Sequence, residues 1–204
     1  MLKGKELYDA WDAAIKEVDV LEMRRLLDIS TQLIDQGIIH YRGNGTIFTT
    51  LPLNMVNKNL EATKLLVDVG ADINQHGQGN VLALHDASPE VANYLIAHGA
   101  NVNKIGYEDF SPLMYEVYMH NYENIDMMIK SGADVNYQNP RDGCSSLHWA
   151  AKKGDLKIVK LLVAHGALPG LLNHNQQTPE FLAKEHDRIE VHEYLATVSR
   201  ELDK

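Results

Sequence analysis

The 204-residue sequence predicts an all-α solenoid, a row of stacked antiparallel helix pairs with modified first and last units. Three observations predict it. Gly70, Gly99, Gly132 and Gly166 stand 29, 33 and 34 residues apart and open the related segments GADIN, GANVN, GADVN and GALPG. Eleven residues before each glycine lies Asn59, Ser88, Asn121 or Asp155, all types whose side chains accept from the free N–H groups of a first helical turn. A second short helical segment stands ahead of each of these caps, so one unit is a helix pair of about 33 residues.

The fullest copy is Asp142 to Ala167. Asp142-Gly143 reads as a turn, and Ser145 and Ser146 cap a helix over Leu147 to Lys153 that stops at Gly154. Asp155 caps the second helix. Ile158, Val159, Leu161 and Leu162 form its apolar stripe, and Gly166 occupies the left-handed position after it.

With these residues in view, the chain resembles the ankyrin-repeat family. Ser145-Ser146-Leu147-His148-Trp149-Ala150-Ala151 is similar to that family's TPLHxAA start, and Ser111-Pro112-Leu113, Leu84-His85 and Thr178-Pro179 match parts of it. The resemblance implies one ankyrin-repeat domain over 1–204, with repeats at about 46–74, 80–103, 109–136 and 142–170 between an N-terminal cap, 5–41, and a C-terminal cap, 175–199.

Taken in order, residues 5 to 36 read as two helices, one with Leu7, Ala10, Trp11, Ala14 and Ile15 on one side, the other with Leu21, Met23, Leu26 and Leu27 and running on to Ile34. A loop, His40 to Gly45, leads to Thr49-Thr50-Leu51-Pro52, where proline suits a first helical turn whose N–H has no partner. The third repeat has lost about four residues between His85 and Ser88, leaving a first helix of little more than one turn. In the fourth, Glu116 replaces a small alanine. The last has no closing glycine and carries Asp187, Arg188, Glu190 and Glu193, a polar face suited to a solenoid end.

Nineteen basic and 28 acidic side chains give a net charge of −9, which argues against a nucleic-acid partner, whose affinity comes from phosphate neutralisation, and favours encounter with a basic protein. The single cysteine, Cys144, excludes an internal disulfide and fits a reducing compartment. No uncharged apolar run reaches membrane-spanning length, and Glu6, Asp9 and Asp12 interrupt any secretory signal. The expectation is a cytoplasmic protein, monomeric when free, without membrane or cofactor.

The ten histidines do not form a metal set: His98 and His165 precede closing glycines, His85 and His148 fill the TPLH slot, and His186 and His192 are six apart. In the family the TPLH histidine braces the turn; at His85 the threonine slot holds Leu82, which weakens that expectation. Gly43-Asn44-Gly45 and Gly77-Gln78-Gly79 lack the Lys-Ser/Thr of a phosphate loop. Ser145 with His148 lacks the orienting third group of a nucleophile. The sequence therefore predicts no enzyme.

The resemblance implies that partners are held by turn tips and the exposed side of first helices, which line a concave surface. Those slots hold Tyr107, Phe110, Tyr115, Tyr118, Met119, Tyr137, Arg141, Trp149 and Lys152, along with His76, Gln78, Asp86, Glu108 and Asn139. Tyrosine, tryptophan and arginine are enriched at binding hot spots. Tyr115, Tyr118 and Tyr122 at i, i+3 and i+7 also fit a core stripe, yet Tyr118 aligns with Lys152, a slot with no need of burial, so an exposed aromatic patch is expected. The function predicted is non-enzymatic binding of one protein, as an inhibitor or immunity protein. A scaffold or assembly factor is the alternative, and an enzyme or small-ligand binder built on repeats is a further one.

Overall fold

Most helices between residues 60 and 186 begin at a residue whose side chain caps them and end just before a glycine or polar residue with positive φ. The computed structural model describes residues 9–10, 12–14, 16–17, 19–29, 38–41, 47–50, 52–68 and 70–202. They fall into two compact units, 1–101 and 102–204.

In the first unit, helical residues between 9 and 16 precede α1 (Val20–Ile29), whose Met23 and Leu26 are fully buried. The predicted extension of this helix to Ile34 lies outside the described residues. The expected loop after it is in part a hairpin: β1 (Ile38–Tyr41) pairs antiparallel with β2 (Ile47–Thr50), Ile38 opposite Thr50 and Tyr41 opposite Ile47. The β-branched and aromatic content of IIHY and IFTT favours the extended state. Residues 42–46 lie outside the description. Helix α2 (Pro52–Val56) starts on its proline, as predicted.

Helix α3 (Leu60–Asp68) is capped by Asn59, whose Oδ1 accepts from Ala62 N–H at 2.9 Å. Helix α4 (Pro89–Ala97) is capped by Ser88 through Val91 N–H at 3.4 Å. Between them the third repeat has no first helix at all. Residues 83–86 form a turn, closed by His85 N–H donating to Leu82 O at 3.0 Å and Leu82 N–H donating to His85 Nδ1 at 3.3 Å. The histidine brace thus persists without threonine, because it needs only the backbone N–H of that slot.

The second unit has three regular pairs: α5 (Pro112–Tyr118) with α6 (Tyr122–Lys130), α7 (Ser146–Lys153) with α8 (Leu156–Ala164), and α9 (Pro179–Glu185) with α10 (Ile189–Leu202). Ser111, Ser145 and Thr178 cap the first helices. Helix α5 packs on α7 and α7 on α9, burying Leu113, Met114, Leu147, Ala150, Ala151 and Ala183. Small alanines let backbones approach at α7; Glu116, also fully buried, takes the corresponding place in α5 and accepts from Asn124 Nδ2 at 3.1 Å. The four caps are not equal. Asp155 accepts from Ile158 N–H at 3.1 Å, whereas the Asn121 side chain makes no capping bond, contrary to the sequence reading.

The GADIN-type segments have a physical cause. The Asn74 amide donates to Gly99 O at 2.9 Å and accepts from Asn101 N–H at 2.7 Å; Asn103 does the same to Gly132 and Asp134, and Asn136 to Gly166 and Leu168. Each asparagine satisfies the end of the next repeat's second helix. GALPG ends in Gly170 and has no such side chain. Gly132 and Gly166 adopt φ of +89° and +86° with open space around a would-be Cβ, so the cost of a side chain there is conformational only. Gly132→Val is expected to lower stability by about 1–2 kcal/mol, and an unchanged urea midpoint would place the helix end elsewhere.

Candidate functional site

The turn tip of the fourth repeat is a strained loop held by the fifth. Tyr107–Asp109 form one 3₁₀ turn in which Glu108 and Asp109 take φ of +53° and +59°, costly for non-glycine residues. Three side chains from the next tip hold it. Tyr137 Oη donates to Asp109 O at 2.8 Å, Asn139 Nδ2 donates to Glu108 O at 2.9 Å, and Arg141 bonds both carboxylates, with Nε to Asp109 Oδ2 at 2.6 Å and Nη1 to Glu108. Burial, and then Asp109, raise the Tyr137 phenol above its usual pKa.

This tip places Phe110 against the first helices. Phe110, Tyr118 and Trp149 form a mutual cluster with centroids 5.4 to 5.9 Å apart, Tyr118 edge-on to both others. Tyr107 meets Tyr115 edge-on at 6.4 Å. Lys152 Nζ lies 5.5 Å from the Trp149 centroid and Lys153 Nζ 4.3 Å from that of Tyr118.

Of the nine residues predicted to meet a partner, Tyr107, Tyr118, Met119, Arg141 and Lys152 are exposed, while Tyr115, Tyr137 and Trp149 are half-buried. Phe110 is a correction. At 8% exposure it sits beneath Tyr118 and Trp149 and supports the cluster rather than presenting itself. Arg141 is exposed, but its guanidinium is already engaged by Glu108 and Asp109, a role invisible without the neighbouring tip. The tyrosine stripe is interrupted: Tyr122 belongs to α6, beyond the turn at His120, where φ is +61°. Trp149 carries a further feature. Its Nε1 is buried and, among the described residues, meets no acceptor.

Beside Trp149 lies a cleft of about 470 Å³ lined by Asp142, Cys144, His148, Lys152, Gln177 and His186 among others, a gathering of titratable groups that the sequence did not reveal because 21 to 44 residues separate its two walls. Burial and then Asp142 push the Cys144 thiol up to about 11, which disfavours a reactive thiolate. His148 is fully buried, accepts from Ser145 N–H at Nδ1 (3.1 Å), and donates from Nε2 to Gln177 O (3.1 Å), so neither ring nitrogen is free to act as base. Ser145 Oγ lies 2.8 Å from Nδ1, yet Ser145 is 1% exposed and its hydroxyl caps α7. His186 and His192 fall on either side of the α9–α10 turn, with His192 near Glu180 at 3.5 Å. Among the described residues no group of three metal-ligating side chains occurs, and no helix is long and apolar enough to cross a membrane.

A family profile for ankyrin repeats (3 copies) matches residues 54–139 and 113–204. The chain belongs to the ankyrin-repeat family. It is 37% identical over 99 residues to a probable E3 ubiquitin-protein ligase of Oryza sativa subsp. japonica, 30% over 111 to the B-cell lymphoma 3 protein homolog of Mus musculus, and 35% over 102 to ankyrin repeat and SOCS box protein 3 of Homo sapiens. These matches cover 48%, 54% and 49% of this chain but only 19%, 25% and 20% of the relatives. Ankyrin repeats are protein-interaction modules and are in general not themselves enzymes.

Proposed function

We propose that this protein binds one partner protein through the concave face of repeats four and five, without catalysis, and acts by covering that partner as an inhibitor or immunity protein. The observation that carries the reading is the Phe110–Tyr118–Trp149 cluster, whose upper members are solvent-accessible and whose buried indole N–H lacks an acceptor. Tyr107, Tyr115, Met119, Tyr137 and Lys152 frame the same face, and Arg141 fixes its tip.

The relatives support a binding role over a shared activity: their names, a ligase, a lymphoma protein homolog and a SOCS box protein, have no common chemistry, and this chain matches only part of each. A scaffold role is the alternative. The net charge of −9 supports a partner of net positive charge, steered at long range. We place the protein in the cytoplasm, monomeric when free and built as one repeat domain; the single cysteine and a repeat match that runs on from residue 54 to 204 support this.

Alanine at Tyr118, Trp149 and Arg141 tests the reading once a partner is isolated. At least one should weaken the complex by about 2 kcal/mol or more, and association should slow as salt rises. A triple variant that binds as well as the parent would move the site off this face.

A further inference from the structure

Four lysines of the fifth repeat lie over aromatic rings rather than against carboxylates. Lys130 pairs with Asp126 at 2.7 Å, and Arg141 with Glu108 and Asp109. Lys152, Lys153, Lys157 and Lys160 instead rest on the rings of Trp149, Tyr118, Tyr122 and Tyr194, at 5.5, 4.3, 3.4 and 5.5 Å from the centroids. Among the described residues no carboxylate pairs with any of the four.

Two of them form a band with the turn between α5 and α6. Lys153 covers Tyr118, Lys157 covers Tyr122, and between these tyrosines in sequence His120 Nδ1 meets Asp155 Oδ2 at 3.0 Å. Asp155, which separates the two lysines, is doubly engaged, since its Oδ1 caps α8 through Ile158 N–H. The band therefore carries two ammonium groups with no anion of their own, on a chain whose overall charge is negative. A ring beneath each one holds it near a fixed place, so a ligand anion finds it partly ordered and less rotamer entropy is lost on binding. Tyr118 at 39% and Met119 at 46% exposure add apolar surface beside the charges.

We propose that this band binds an acidic segment of the partner protein, two carboxylates meeting Lys153 and Lys157 while a neighbouring apolar side chain rests on Tyr118 and Met119. The inference rests on the reading that repeats four and five face a protein, and it names the chemistry of one part of that protein. A partner of net positive charge can present such a segment: steering follows net charge, whereas contact follows the local groups. A nucleic acid fits less well. Its affinity grows with each phosphate neutralised, and the band offers only two ammonium groups. An anionic membrane surface calls for a larger run of basic residues.

The test is an amide-resolved NMR titration of the intact chain with a synthetic peptide of alternating glutamate and leucine. Parallel arms use the same peptide with glutamine for glutamate, oligothymidylate, and phosphatidylserine vesicles. Saturable shifts are expected at residues 118–122 and 152–157 with the glutamate peptide alone, weakened about five-fold or more in K153Q/K157Q. Both lysines are exposed, and glutamine keeps most of the stem, so the variant should melt with the parent; the single variants serve if it does not. Absence of saturable shifts there, equal affinity in the charge-neutral variant, or tighter binding of oligothymidylate or vesicles would overturn the proposal. Trp149→Ala separates it from the broader reading. Partner binding lost in that variant, with the glutamate peptide unable to bind the parent, removes the acidic-segment inference and leaves the aromatic face intact.

Discussion

Acidification from pH 6.5 to pH 4 should destabilise the unit formed by residues 1–101 by roughly 3 kcal/mol through His85 alone. The ring is 1% exposed, and burial, with a smaller contribution from His76, lowers its pKa from 6.5 to about 4. Below pH 6.5 the unfolded chain takes up a proton that the folded chain refuses. Stability from this group is therefore whole above pH 6.5, falls as pH drops through the window, and changes no further below about 4. Burial lowers His148 too, adding a loss of the same sign in residues 102–204. Urea unfolding of the parent and of His85→Gln at pH 7, 6, 5 and 4 checks this, because carboxylate protonation is common to both proteins. A parent curve that falls no faster than the variant's would show that His85 ionises freely in the fold.

His85 also shows how far the sequence could be read. The TPLH slot, the common length of the four second helices, three of the four caps and the left-handed glycines are legible, because each depends on local residues. The asparagine ladder was visible as a repeated letter but not as a bond, since Asn136 and Gly166 meet only once neighbouring repeats stack. The hairpin β1–β2 was missed for a different reason: in a chain dominated by a 33-residue helical period, two four-residue stretches of β-formers read as loop. At the candidate site, sequence spacing gave the aromatic identities of Tyr118 and Trp149 but not their burial. Phe110 was assigned to an exposed tip because turn tips face solvent, while its ring turns inward between Tyr118 and Trp149. Arg141 was assigned to the partner because arginine is common at hot spots, and the carboxylates that occupy it lie 32 and 33 residues away.

His148→Ala should lower the stability of the unit formed by residues 102–204 by roughly 3 kcal/mol, the largest effect expected of any single substitution near the site. With Ser145 N–H pointing at Nδ1 (3.1 Å), that nitrogen must accept, so the proton sits on Nε2 and goes to Gln177 O (3.1 Å). The neutral ring closes the capping box of α7 and reaches across to the last repeat, and alanine would leave the buried Ser145 N–H without its acceptor beside a hole, while Gln177 O would keep only the Asn173 N–H at 3.0 Å. His148→Asn keeps an acceptor near Ser145 but is too short for Gln177, so its cost should be intermediate and its difference from alanine measures the capping box alone. Denaturant unfolding followed by Trp149 fluorescence reads both. A loss below about 1 kcal/mol for alanine would mean that water or a neighbouring side chain replaces the brace. The same variant bears on function: His148 fixes the start of α7 and thereby the place of Trp149 against Phe110 and Tyr118, although it is itself fully buried. Partner binding should therefore weaken in His148→Ala even under conditions where the protein remains folded, and normal binding by a folded but less stable variant would place the partner on a surface that α7 does not position.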